Sequence, residues 1–109
     1  MKLLSFEKLI EVLQELRSAR LSLGNELNET DVDNLSSEYN LLFAGKNVNV
    51  IYSHELPNML KSKFGIVSTT EQVNQLIPFA CHANGMKCEP LAKYGEPDEK
   101  INHFEITLF

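Results

Sequence analysis

Phe6, Leu9, Ile10, Leu13 and Leu16 recur at spacings of three, one, three and three residues. That spacing draws a single apolar stripe on a 3.6-residue repeat and predicts a helix from about Phe6 to Leu23. Ser5 stands where a cap is needed, Glu7 falls in the first turn, Arg17 and Arg20 lie toward the far end, and Gly24 supplies the stop. Each placement complements the helix dipole or its unpaired end groups.

Residues 25–37 are polar and acidic and read as a loop. The next stretch has two readings. Tyr39 to Phe43, a turn at Ala44-Gly45-Lys46-Asn47, and Val48 to Tyr52 fit a β-hairpin. The competing pattern starts a helix at Thr30, capped with help from Asp33, with Val32, Leu35, Tyr39 and Leu42 as its stripe and Gly45 as its end. Asp, Asn and two Ser are weak helix formers, so the hairpin is preferred, which makes residues 31–43 loop plus strand rather than helix.

Ser53 to Lys63 reads as a short helix carrying Leu56, Met59 and Leu60, with Pro57 tolerated in its first turn and Gly65 ending it after Phe64. Ser68-Thr69-Thr70-Glu71 has the form of a capping box and opens a helix to about Asn84. Val73, Leu76, Ile77, Ala80 and Ala83 mark its buried face, and Pro78 is expected to kink or divide it. Asn84-Gly85 is a stop signal. Strands follow at about Met86 to Lys93 and Ile101 to Phe109, joined by the turn-rich Tyr94 to Asp98, with Phe104, Ile106 and Leu108 facing the core. The fold class expected is α+β: a small, mainly antiparallel sheet of about four strands, in the chain order α-β-β-α-α-β-β, with helices packed on one face.

A chain of 109 residues, 43% hydrophobic, has room for one core and composition enough to form it, so 1–109 reads as a single domain. The N-terminus acquires Glu7, Lys8 and Glu11 before any signal-like apolar stretch develops, and no run approaches the length of a membrane span. With only Cys81 and Cys88, a disulfide framework is not indicated, and a cytoplasmic protein with reduced thiols is expected.

Charge changes the picture more than composition does. Between Arg20 and Lys46 there is no Lys or Arg, yet the segment holds Glu26, Glu29, Asp31, Asp33 and Glu38. Those five acids account for the whole formal charge of −5, because ten acids and ten bases balance elsewhere. So concentrated a charge repels nucleic acid and anionic membrane and attracts cationic surfaces. The five acids are therefore the candidate partner-binding residues, facing a protein with a basic surface. A calcium loop starting at Asp31 fails, since Leu35, Ser36 and Leu42 stand where a ligand, a Gly and a Glu are required. The five glycines are spread along the chain as punctuation and form no phosphate loop.

Cys81, His82 and Cys88 form the one cluster of nucleophile or ligand types. Adjacent Cys81 and His82 on a helix point about 100° apart, which suits neither a zinc site nor a thiol–imidazole pair. No metal or cofactor is expected, and no catalytic residue is assigned. The function this reading favours is a non-enzymatic protein-binding domain of inhibitor, immunity or adaptor type. The alternative is a small-molecule binder or enzyme centred on Cys81, His82 and Cys88, in a pocket opened by Pro78 and lined by Tyr94. His82 and His103 are expected at the surface, His103 on an edge strand. That exposed C-terminal edge, with an apolar first helix, favours a homodimer.

Overall fold

The apolar stripe of the first helix becomes one wall of the core. In the computed structural model, which describes residues 2–92 and 101–109, α1 (Phe6–Leu21) buries Leu9, Val12, Leu13 and Leu16. Ser5 caps it, its hydroxyl accepting the Lys8 N–H at 3.2 Å.

The preferred reading, a loop followed by a hairpin over 39–52, is not what forms. Residues Glu29–Tyr39 are a helix, α2, and the acidic segment expected as a loop makes up most of it. The cap is Asn28 rather than Thr30: its side chain accepts the Asp31 N–H at 2.8 Å, and the Asp31 carboxylate accepts the Asn28 N–H in return. Residues that weaken a helix interior are favourable in its first turn, where orphan N–H groups and the positive dipole end await them. Leu35 and Tyr39 anchor the helix in the core, and Asn40 ends it in the left-handed region at φ 52°. Of the hairpin only a bridge between Ala44 and Val50 remains, and the strand expected from Val48 shortens to β2 (Val50–Tyr52).

A 3-10 turn (Ser53–Glu55) leads into α3 (Leu56–Phe64), which Gly65 terminates at φ 67°. Two strands too short to show a period, β1 (Lys2–Leu3) and β3 (Ile66–Val67), pair in parallel. The helix after them, α4 (Thr70–Asn84), is capped by Thr69 with Gln72, one residue later than Ser68 with Glu71. It runs past Pro78 without dividing, and Ala83 lies outside its buried face. The closing strands are β4 (Lys87–Ala92) and β5 (Ile101–Thr107). The expected turn at Tyr94 to Asp98 falls outside the described residues.

The fold is thus α+β, with a three-stranded antiparallel sheet in the order β2-β5-β4 beside the small parallel pair. The last strand is central, not an edge, because β2 and β4 both hydrogen-bond to it. The outer strand β4 carries Lys87 and Pro90, residues that discourage further pairing. Ile51, Phe104, Ile106 and Leu108 point inward with the apolar faces of the helices. Both edges of β5 are paired within the chain, and Leu9, Val12, Leu13 and Leu16 of α1 pack in the core, while Phe6 at the start of the stripe stays exposed.

One polar group holds the layers in register. Ser53 is fully buried, and its hydroxyl accepts the Phe104 N–H at 2.7 Å while donating to Asn74 Oδ1 at 3.2 Å. A single side chain so links β5, the 3-10 turn and α4, and the bonds offset the cost of burying it.

Candidate functional site

Helix α2 brings the acidic residues to one side of the molecule but does not make them equivalent. Glu29 and Asp33 are four residues apart, hence on one face, and both are exposed. Glu26 is exposed in the segment leading to the helix. Asp31 is turned to the cap. Glu38, near the other end, forms an ion pair with Lys63 of α3 at 3.7 Å. The five predicted residues therefore divide: three present free carboxylate surface near the start of α2, one builds the helix, and one is paired with Lys63.

A cleft of about 820 Å³ opens along that start. One wall is Glu29, Val32 and Asp33 of α2; the opposite wall is Lys46, Asn47 and Val48, with Leu27 and Phe109 adding apolar surface. Between the walls Arg20, only 4% exposed, reaches from the last turn of α1. Its Nε and Nη2 donate to the Asn47 carbonyl at 3.0 and 2.8 Å, and Nη1 donates to the Gly24 carbonyl at 2.9 Å. Its guanidinium also lies over the Phe109 ring, 5.4 Å from the centroid. Arg20 thereby fixes both loops that frame the cleft, and its charge is spread into backbone carbonyls.

The wall opposite α2 is strained. Val48 is β-branched yet held at φ 54°, a conformation costing on the order of 1–3 kcal/mol. Its N–H donates to the Gly45 carbonyl at 3.1 Å, closing the tight loop that puts Lys46 and Asn47 at the cleft. Such strain persists only where the surroundings over-determine it.

Next to Glu38, Tyr39 is buried in the core with Glu15 of α1 nearby. Burial, and then the Glu15 and Glu38 carboxylates, push its phenol up to about 12. The Lys63 ammonium stands 5.1 Å from the centre of its ring.

Of the cysteine cluster the structure unites two members and discards the third. Cys81 is buried, and the half-buried Cys88 is its neighbour across the helix–strand junction. His82 points to solvent. Burial, then the neighbouring Cys88, pushes the Cys81 thiol up to about 12, so a thiolate nucleophile is scarce at neutral pH. Tyr94, expected to line a pocket here, lies outside the described residues.

A cluster that sequence reasoning missed is Tyr52, His54 and His103 on the outer face of the sheet. The imidazoles of His54 and His103 meet edge to face at 4.5 Å, with Tyr52 about 6 Å from each. His103 is half-buried on the central strand, not at the surface of an edge strand, and burial followed by His54 holds its pKa below the usual 6.5. Nothing in the spacing of His54 and His103 announces this; the pairing of β2 with β5 creates it.

Among the described residues no group of three or more His, Cys, Asp or Glu side chains is arranged to hold a metal ion. Nor is any described helix long and apolar enough to cross a membrane. Comparison with family models, curated proteins and solved structures finds no match to this chain.

Proposed function

We propose that this protein is a non-enzymatic protein-binding domain that receives a cationic, amphipathic segment of another protein in the cleft beside α2. The observation that carries the reading is the pairing of chemistries in one place. Glu29 and Asp33 line the cleft with negative charge, while Leu27, Val32, Val48 and Phe109 supply apolar contact. A Lys or Arg side chain satisfies both, since its stem packs on apolar surface while its head stays by the carboxylates. Glu26 adds field outside the cleft and steers the approach. Lys46 on the facing wall repels a second cation and so sets the orientation of the bound segment.

The test is an NMR titration with a synthetic amphipathic Lys/Leu peptide, run at low and high salt. Shift changes confined to residues 25–33 and 46–48, weakening with salt, are the expected result. The double variant Glu29→Lys, Asp33→Lys is expected to weaken binding about tenfold or more, since two attractive charges become repulsive. Unchanged binding by that variant, or shifts spread over other faces, overturns the reading.

A further inference from the structure

Away from the acidic cleft, the junction of α4 and β4 carries two thiols with no role in binding. Cys81 lies on the buried face of α4 with Ile77 and Ala80 and is 1% exposed. After Asn84, Gly85 turns the chain at φ 68°, and the Met86 N–H donates back to the Cys81 carbonyl at 2.9 Å. The strand therefore starts directly against the end of the helix. In the register of β4 with β5, Cys88 stands opposite Ile106. Cross-strand partners share a face, and Ile106 is fully buried, so Cys88 faces inward toward the helix layer. Both thiols therefore lie in the layer between α4 and the sheet, Cys81 from the helix side and Cys88 from the strand side.

We propose that Cys81 and Cys88 are a reversible redox-modification site, closing to an intramolecular disulfide in the folded protein when a low-molecular-weight disulfide is the oxidant. Cys88, the more accessible thiol, enters first. Its thiolate attacks one sulfur of the oxidant, whose S–S bond breaks, and one small thiolate leaves to take up a proton. Cys81 then gives its proton to solvent, and its sulfur attacks Cys88 Sγ. The second small thiolate is expelled and protonated. Two protein thiols are oxidised and one small disulfide is reduced to two thiols. Burial keeps Cys81 protonated, so the second step is the slower one and quickens as pH rises. A buried cysteine serving only as a small hydrophobe has no need of a second thiol beside it.

Oxidised glutathione is the probe. The protein is equilibrated with mixtures of oxidised and reduced glutathione, both folded and in concentrated urea, then read by intact mass and non-reducing peptide mapping. The expected folded product has lost the mass of two hydrogens, links residues 81 and 88, and retains no glutathione. Its formation constant is expected to exceed that in urea by about tenfold or more, because the fold holds the sulfurs together. Cys81→Ser is expected to trap glutathione on Cys88. A stable glutathione adduct on wild-type Cys88, or a folded constant no greater than that in urea, overturns the proposal. The wild-type measurements decide this even where the variant folds poorly.

Discussion

Arg20 concentrates more of the site's architecture than any acidic residue does. Its side chain is 4% exposed and meets carbonyls of Asn47 and Gly24, while among the described residues the one ion pair is Glu38 with Lys63. A buried cation held by dipoles is costly to bury and costlier to remove, because its acceptors are left short of donors. Replacing it by Met, similar in reach but without donors, is expected to lower stability by about 2–4 kcal/mol in urea denaturation. Arg20→Lys keeps the charge but loses the planar fork that serves two carbonyls at once, so it rescues little of the loss. A cost below about 0.5 kcal/mol for Arg20→Met would show that the loops around the cleft hold themselves. In the sequence Arg20 looks like an ordinary basic residue near a helix end; only the return of residues 24 and 47 to that end makes it a keystone.

At the scale of elements, α2 depends on its cap because its interior is weakly helical and its termini are exposed. Asn28→Ala removes the bond to the Asp31 N–H and is expected to cost about 1 kcal/mol by chemical denaturation, with loss of helical circular dichroism. Gly45→Ala is expected to cost more, since φ is +86° there and a Cβ would sit 2.9 Å from Val50 Cγ2. Equal stability of Asn28→Ala and wild type would show that Leu35 and Tyr39 alone hold the helix.

The same elements show what the sequence made legible. α1 and α4 were readable because apolar spacing, cap and glycine stop agree, and α3 because its apolar spacing, first-turn Pro57 and Gly65 stop do. Phe104, Ile106 and Leu108 were readable from strict alternation. α2 was misread because Asp, Asn and Ser argue against helix in its interior and for helix at its start, and the strength of the Asn28 cap decides between them. The parallel pair of β1 and β3 spans two residues each, too few for any period. Charge located the acidic side of the molecule, but not which carboxylates remain free. That depends on Asp31 closing the cap and Glu38 meeting Lys63, contacts made by tertiary placement.

For the whole molecule, three groups are expected to bound the pH range of stability. Tyr39 and Cys81 are both pushed up to about 12, from ordinary values of 10.0 and 9.0, chiefly by burial. The folded protein binds these protons more tightly than the unfolded chain, so their contribution is complete below the ordinary values and is lost as pH climbs toward 12. His103 works on the other side. Its pKa is lowered from 6.5 by burial and by His54, so the unfolded chain binds that proton more tightly. Its contribution is present above 6.5 and is lost as pH falls through the folded value. Urea midpoints measured between about pH 5 and about pH 11 are therefore expected to trace a dome. Relative to wild type, His103→Gln is expected to flatten the acid limb alone, while Tyr39→Phe and Cys81→Ser flatten the alkaline limb alone. If His103→Gln leaves the acid limb unchanged, carboxylates rather than the imidazole pair set the lower bound; if the alkaline limb survives both substitutions, deprotonation elsewhere unfolds the chain.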